Sequence, residues 1–271
     1  MSGGRENLRI LHVLRSPVGG LFRHVMDVVR GQIQRGHAVG IVCDAQTGGE
    51  HAARILSAIE PRLELGMTRV PMPRQLGLSD ISSTRHVAQR IDRGAPDVVH
   101  GHGAKGAAYA RLAIRGHGPL RVYTPHGGSL LYRPGTPVGA FYMTLEKLLQ
   151  RSTDLFLFES AFIERLYRAK VGMPAAMARV VPNGVGADEF VDVALRTDAT
   201  DILYIGELRA LKGVDVLLAA MANLRAGGLS LTATIVGDGA ARDELKQQAQ
   251  CSDLGDAVRF LPPIPAREAF A

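Results

Sequence analysis

The chain has 271 residues, 46% of which are hydrophobic, and carries a net charge of +6 at pH 7. This length suits two α/β domains, and the apolar content is enough to build a core in each. Tryptophan is absent and aromatic residues are only 5% of the chain, which argues against nucleic-acid binding by base stacking. The two cysteines, Cys43 and Cys251, suggest neither a disulfide framework nor a zinc motif and favour a reducing, cytoplasmic compartment.

The charge is unevenly distributed along the chain. Residues 1–190 carry 24 Lys and Arg against 15 Asp and Glu, whereas residues 191–271 carry 8 against 11. The basic first part suits a phosphorylated acceptor or an anionic membrane surface. Scattered arginines that serve solubility alone are an equal alternative. The apolar run Ile10–Leu14 is too short for a signal peptide or a membrane span.

Strands and helices alternate through residues 1–190. The strands are predicted at residues 8–14, 37–43, 67–72, 96–100, 120–124, 154–158 and 178–181, and the helices at 21–35, 50–59, 80–93, 107–115, 138–151 and 161–169. Ser79 or Asp80 is expected to cap the third helix and Ser160 the sixth. This alternation predicts a doubly wound parallel sheet with right-handed crossovers.

Residues 184–200 contain no periodic apolar pattern, and we place an interdomain linker at 191–200. A second series then begins, with strands predicted at 201–205, 231–236 and 258–261 and helices from Gly213 and over 240–250. Only the 71 residues 201–271 belong to this series, whereas a doubly wound domain usually has five or six strands. We therefore expect the second domain to be partial and the chain to be C-terminally truncated.

The segment Ile202–Met221, ILYIGELRALKGVDVLLAAM, combines a buried strand, a short loop and a helix. The strand ends at a glycine, the loop carries Arg209 and Lys212, and Gly213 begins the helix. Free N–H groups at a helix N-terminus, together with two cations, form a site for a phosphate or diphosphate. An ordinary strand, loop and helix with solvated basic residues explains the local pattern equally well.

The loop after the first strand contains Gly19 and Gly20, which would let a ligand approach the backbone at the start of the following helix. A plain tight turn is the alternative, because the full G-x-G-x-x-G pattern is missing. The same absence argues against a nicotinamide-dependent oxidoreductase.

Six motifs, in this order, resemble the family 4 retaining glycosyltransferases of the GT-B fold. They are VGGLFRHV with RGHAV, DVVHGHGAKG, TPHGGS, VVPNGV, IGELRALKGVDVLL and IVGDGAARDELKQQA, and together they extend over essentially the whole chain. The resemblance implies two doubly wound Rossmann-like domains that face each other across a cleft. It places the acceptor domain at residues 1–190 and the nucleotide-sugar domain at 201–271.

In that family an arginine and a lysine hold the donor diphosphate without a metal. Lys212 matches the lysine, and Gly213 follows it at the helix start. Glu207 occupies the position of the family arginine, so we expect Arg209 to take that role. His126 matches the histidine that lies near the transferred sugar and is the candidate catalytic residue. The alternatives for His126 are a histidine bonded to backbone at the end of a strand and a histidine on a solvated loop.

The other candidate site residues are less specific. Gly19, Gly20, His102 and Asn183 are assigned to acceptor or donor loops, and Gly237, Asp238 and Gly239 to the neighbourhood of the nucleotide. Alternatives remain for several of these: His102 or Asp238 as a helix cap, and Asn183 with Gly184 as a simple turn. His12, inside the first strand, is expected to be a core histidine.

The resemblance implies transfer of a sugar from a UDP- or GDP-linked donor to a saccharide or lipid-linked acceptor with retained configuration. No cofactor, metal or nucleic acid is expected. A role in cell-surface polysaccharide or glycolipid synthesis would place the protein at the inner face of the plasma membrane. The helix over 138–150 is amphipathic enough to touch that membrane, although apolar residues in such a pattern more often belong to a core. Because the family's E-x7-E glutamates have no counterpart here, the alternative is a catalytically silent remnant.

Overall fold

The computed structural model describes residues 7–114, 116, 118–133, 135–186, 189–190, 192–264 and 266–270. The chain divides into two units, residues 1–186 and 187–271. Arg115, at the end of the predicted fourth helix, lies outside the described residues.

The first unit is built on a parallel sheet. Its seven strands are β1 (Arg9–Leu14), β2 (Ala38–Asp44), β3 (Gly66–Val70), β4 (Val98–His102), β5 (Leu120–Thr124), β6 (Leu155–Phe158) and β7 (Met177–Val180). They are arranged in the order β3-β2-β1-β4-β5-β6-β7, and every neighbouring pair is parallel. Each predicted strand is confirmed to within two residues at either end.

Six helices cover the two faces of this sheet. They are α1 (Gly19–Gln34), α2 (Gly49–Ile59), α3 (Ser79–Gly94), α4 (Gly103–Ala113), α5 (Pro137–Leu149) and α6 (Ala161–Lys170). One core joins α1 and α2 to β2, and another joins α3 and α4 to the opposite side of the central strands. Every residue of β2 is buried, which explains its nearly continuous apolar sequence. The doubly wound arrangement that we predicted is confirmed.

The second unit repeats this plan on a smaller scale. Its elements are β8 (Ile202–Ile205), α7 (Val214–Ala226), β9 (Ala233–Val236), α8 (Arg242–Cys251), β10 (Val258–Leu261) and α9 (Ala266–Phe270). The three strands are parallel in the order β10-β9-β8. Apolar residues of α7 and α8 pack on β9 to form the core, whereas Leu203 and Ile205 of β8 are 37% and 38% exposed.

Helix α4 begins four residues before its predicted start at Ala107, so most of the glycine-rich segment that we expected to be a loop is helical. The reason is close packing. A Cβ atom at Gly101 would lie 2.4 Å from the Cα atom of Ala107, and one at Gly106 would lie 2.8 Å from the carbonyl oxygen of Val13. The glycines therefore allow the helix backbone to lie directly on β1 and β4.

One predicted helix cap is confirmed and one is wrong. The hydroxyl of Ser160 accepts a hydrogen bond from the N–H of Ile163 at the start of α6. Leu78, rather than Ser79 or Asp80, occupies the N-cap position of α3, and no side chain caps that helix. The carboxylate of Asp80 instead pairs with Lys105 at 2.8 Å. The local sequence predicted that Asp80 caps its own helix, but its carboxylate pairs with Lys105 of α4 instead.

Helix α5 contains a buried charge that apolar periodicity does not predict. The Glu146 carboxylate lies 3.4 Å from Arg111 of α4, and the two side chains are only 3% and 1% exposed. It also accepts 2.8 Å hydrogen bonds from the hydroxyls of Tyr123 and Ser129. Among the apolar residues of the predicted amphipathic face, Leu149 is buried. Phe141 and Leu148, however, are 53% and 60% exposed.

We expect Glu146→Ala to lower the free energy of unfolding of the first unit by about 3–5 kcal/mol, because it leaves the Arg111 guanidinium buried without a counter-charge. The change is measured by urea denaturation followed by tyrosine fluorescence, since five of the six tyrosines lie in residues 1–186.

The matched control is Glu164→Ala, which removes an ion pair with Arg168 whose side chains are 22% and 36% exposed. Exposed pairs contribute at most about 1 kcal/mol. Equal losses in the two variants would contradict a stabilising role for the buried pair.

Candidate functional site

The order of the strands defines where a ligand is expected in the first unit. The chain runs from β1 to β2 and β3 on one side and returns to β4 on the other, so the order reverses between β1 and β4. Leu14 at the end of β1 is paired with His102 at the end of β4. Ligands of open α/β sheets bind at the carboxyl ends of the strands at such a reversal.

Among the described residues, five histidines meet at this edge. We call them the histidine cluster: His12 of β1, His24 of α1, His100 and His102 of β4, and His126, which follows β5. The ring centroids of His100 and His102 are 3.9 Å apart, and those of His24 and His126 are 5.0 Å apart. The sheet, one helix and one loop thus contribute imidazoles to one place.

A chain of hydrogen bonds crosses the histidine cluster. It begins at Gln32 of α1, whose Oε1 lies 2.7 Å from Nε2 of His12. His12 Nδ1 lies 2.9 Å from Nε2 of His102, and His102 Nδ1 lies 3.3 Å from Nε2 of His126. His12 is fully buried and both of its ring nitrogens have partners, so the expectation of a core histidine is confirmed.

The amide oxygen of Gln32 determines which atoms donate and which accept along this series of hydrogen bonds. An amide oxygen only accepts, so Nε2 of His12 carries the proton and its Nδ1 is an acceptor. His102 then donates from Nε2 to His12, and in a neutral ring this leaves Nδ1 of His102 unprotonated, as the acceptor of a hydrogen bond from Nε2 of His126. His102 stands at the N-cap position of α4, but its side chain makes no cap hydrogen bond, so the capping alternative is wrong.

All five imidazoles are neutral at pH 7. Burial lowers the pKa of His12 to about 4, although the hydrogen bond that His12 donates to Gln32 raises it, and burial lowers the pKa of His126 to about 3. Burial and then the neighbouring imidazoles hold the pKa of His100 and of His102 well below its ordinary value. Burial also lowers the pKa of His24. The site is therefore a group of uncharged nitrogen donors and acceptors.

The loops beside the histidine cluster leave room for a ligand. Gly19 has a φ of +64° at the start of α1, and a Cβ atom added at Gly19 or Gly20 would meet no atom within 4 Å. His126 itself has a φ of +55°, an uncommon conformation for a residue with a side chain. Asn183 is exposed in the irregular segment after β7, and no described hydrogen bond joins it to the histidine cluster.

In the second unit, the predicted cations lie on the turn that precedes α7. Arg209 and Lys212 are exposed at the two ends of this turn, and Gly213, with a φ of +70°, occupies the N-cap position of the helix. Arg209 Nε lies 3.0 Å from the carboxylate of Glu207, and these side chains are 45% and 52% exposed. Such an exposed pair is weakly stabilising and is open to exchange with an incoming anion.

The Gly237–Asp238–Gly239 segment packs against the same turn. The N–H of Leu208 donates to the carbonyl oxygen of Asp238 at 2.9 Å. A Cβ atom at Gly237 would lie 1.9 Å from the carbonyl oxygen of Gly206, and one at Gly239 would lie 2.3 Å from that of Leu208. These glycines allow the two loops to touch. The Asp238 carboxylate accepts from the N–H of Gly239 and caps no helix, so that alternative is wrong.

Two cavities lie away from the predicted site residues. One, of about 350 Å³, lies between α3 and α4, and the other, of about 630 Å³, is lined in part by Arg196, Thr200 and Arg259 of the second unit. Neither cavity is lined by a residue of the histidine cluster or of the cationic turn, as we call residues 209–212 before α7.

Two family models match the chain. The model for Glycosyltransferase Family 4 matches residues 18–189, and the model for Glycosyl transferases group 1 matches residues 187–270. The first match spans more than half of the chain. The chain belongs to glycosyltransferase family 4, as its motifs indicated.

Individual relatives agree with this assignment. The chain is 26% identical to a glycogen synthase of Mycobacterium tuberculosis over 94% of its own length but spans only 66% of that protein, just under two thirds. Among solved structures, it is similar to sucrose-phosphate synthase from Thermosynechococcus elongatus, with a TM-score of 0.74, 17% identity and coverage of 96% of this chain and 72% of that one. It is also similar to Anabaena HepE, solved in complex with UDP and glucose, with a TM-score of 0.70 and 18% identity. That match covers 95% of this chain and 70% of the other. The fold is the GT-B type that we predicted.

We expect the first unit to lose stability as the pH falls from about 6.5 to 4. In the unfolded chain His12 has a pKa of about 6.5, above its folded value of about 4, so protons bind preferentially to the unfolded state below pH 6.5. The contribution of His12 is complete above pH 6.5 and falls by roughly 3 kcal/mol at pH 4.

Hydrogen-exchange mass spectrometry at pH 7, 6 and 5, corrected for intrinsic rates, measures this loss separately in each unit. Peptides of the second unit provide the internal control, because residues 187–271 contain no histidine. Equal protection of first-unit peptides at pH 7 and pH 5 would contradict the burial of neutral histidines.

Proposed function

We propose that this chain transfers a sugar from a nucleotide diphosphate sugar to an acceptor hydroxyl, with retention of the anomeric configuration. The observation that carries the proposal, in a chain of this family, is the pair of cations on the turn before the 13-residue helix α7. Anabaena HepE, which shares the fold, was solved with UDP and glucose, so a UDP-linked donor is the first choice and a GDP-linked donor the second.

The chemistry explains why cations are needed. Transfer breaks the bond between the anomeric carbon and the diphosphate oxygen and forms a bond from that carbon to the acceptor oxygen. Negative charge grows on the departing diphosphate. Arg209, Lys212 and the free N–H groups at the start of α7 stabilise this charge without a metal at the diphosphate. One such donor contributes about 3–4 kcal/mol in the transition state, by analogy with oxyanion-hole deletions.

His126 orients the transferred sugar in this proposal. Its imidazole is neutral, because burial lowers its pKa to about 3, so it acts as a hydrogen-bonding group rather than as a charge. The departing diphosphate takes the proton of the acceptor hydroxyl, which balances the reaction without an enzymic nucleophile.

The acceptor is a saccharide or a lipid-linked saccharide used in cell-surface polysaccharide or glycolipid synthesis. The basic charge of residues 1–190 and the exposed Phe141 and Leu148 of α5 support an association with an anionic membrane surface. Among the described residues, no helix is both long and apolar enough to cross a membrane.

A catalytically silent protein that keeps the fold is the second candidate. The observation that favours it is Glu207, which stands at the position of the family arginine and pairs with Arg209 at 3.0 Å. A carboxylate there repels a diphosphate and weakens the cationic turn. The two candidates differ in whether the turn binds nucleotide and whether bound sugar is then transferred.

We expect Arg209→Ala and Lys212→Ala each to weaken UDP binding by about tenfold to a hundredfold, because each removes a charge-assisted contact with the diphosphate. Glu207→Gln is expected to tighten binding up to about fivefold, since it releases Arg209 from an exposed ion pair. Isothermal titration with UDP and GDP measures these changes.

Arg225→Ala provides the matched control, because it removes a cation from the opposite end of α7. Nucleotide binding that is insensitive to both Arg209 and Lys212 would refute the diphosphate assignment. Binding without transfer of sugar to any supplied acceptor, or no binding at all, would favour the silent protein.

A further inference from the structure

We propose that the histidine cluster contains a binding site for a divalent transition-metal ion of the zinc class, formed by His24, Nδ1 of His102 and Nε2 of His126. The three ligands all lie in the first unit. The site shares His126 with the proposed transferase, but metal binding is measured directly and does not require sugar transfer.

The spacing of the nitrogens supports this site. One ring nitrogen from each of His24, His102 and His126 lies within 4.8 Å of the other two. His102 Nδ1 and His126 Nε2 are 3.3 Å apart. Two nitrogens at 2.0–2.1 Å from a tetrahedral zinc ion are themselves about 3.3–3.4 Å apart. Two of the three ligands therefore already have the required separation, and the half-buried His24 side chain lies close enough to both to be the third.

The surrounding hydrogen bonds prepare His102 to be a ligand. Metal-bound histidines usually donate their second N–H to an outer partner that fixes the ring. Here His102 donates from Nε2 to His12, which in turn donates to the amide oxygen of Gln32. These hydrogen bonds leave Nδ1 of His102 unprotonated, with its lone pair facing Nε2 of His126. Metal binding needs only that His126 carry its proton on Nδ1 instead of Nε2, so no charge is gained or lost by the protein.

A second set of three histidines is a poorer site. His12, His100 and His102 also bring their nitrogens within 4.8 Å, but all three are buried. Both nitrogens of His12 already have partners, and Nε2 of His100 lies 2.9 Å from the hydroxyl of Thr124. A metal there would displace several hydrogen bonds and would have no entry path.

The outer set, in contrast, opens to the surface. His24 and His126 are half-buried, and His24 lies about one turn of α1 from Gly19 and Gly20, where there is open space. Three neutral histidines leave the fourth position of a tetrahedral ion free for water or a hydroxyl group. Because the three imidazole ligands are uncharged, they do not neutralise the ion, and its whole positive charge acts on the fourth ligand.

The test uses the full chain without a histidine tag, freed of metal with a chelator. We expect one Zn²⁺ per chain by calorimetry at pH 7.5, and Co²⁺ to give the visible absorption of a tetrahedral site. His24→Ala and His126→Ala should each weaken Zn²⁺ binding by more than about 100-fold, and Gln32→Met, which keeps the ligands, by about 10-fold. His86→Ala, a change of a histidine of α3 outside the cluster, should have no effect.

Circular dichroism establishes that each variant is folded, and His24→Gln and His126→Gln replace any alanine variant that is not. Absence of Zn²⁺ and Co²⁺ binding in the wild-type chain would overturn the proposal and leave the cluster as a hydrogen-bond network. Binding that survives in the His24 and His126 variants, or that is lost in His86→Ala, would show adventitious surface binding and would also overturn it.

Discussion

Helix α4 lies so close to β1 and β4 that only glycine fits at two of the contact points, Gly101 and Gly106. This approach allows the chain to turn from β4 directly into the helix, so that His102 ends the strand and begins the next element. The neighbouring β1 supplies His12, and the loop after β5 supplies His126. The histidine cluster therefore depends on a backbone-to-backbone contact that any larger side chain would prevent.

Most of the fold followed from apolar patterns. Apolar runs identified the strands, apolar residues at helical spacing identified the helices, and Ser160 marked the start of α6. The start of α4 was missed because glycine usually marks a loop, whereas here Gly101 and Gly106 serve close packing. The buried Glu146 was also missed, because its partners come from α4, β5 and a distant turn and leave no local signal in the sequence.

The candidate site was predicted only in part. His102 and His126 came from family motifs, but His12 was assigned to the core, and His24 and His100 were not singled out. The spacing of His100 and His102 places both on one face of a strand. Their meeting with His12 depends on the register of β1 with β4, and the contribution of His24 depends on how α1 packs. Neither is encoded within a single motif.

Gln32 fixes the position of the His12 ring and also the side of each linked imidazole that carries the proton. Its amide can rotate by half a turn with little change in shape, which would present the NH₂ group to His12 instead of the oxygen. Every proton along the chain of imidazoles would then reverse its direction, and Nδ1 of His102 would become a donor that repels a cation. A single side-chain amide, separated from His102 by the one imidazole of His12, therefore determines whether His102 offers a lone pair or a proton to a ligand.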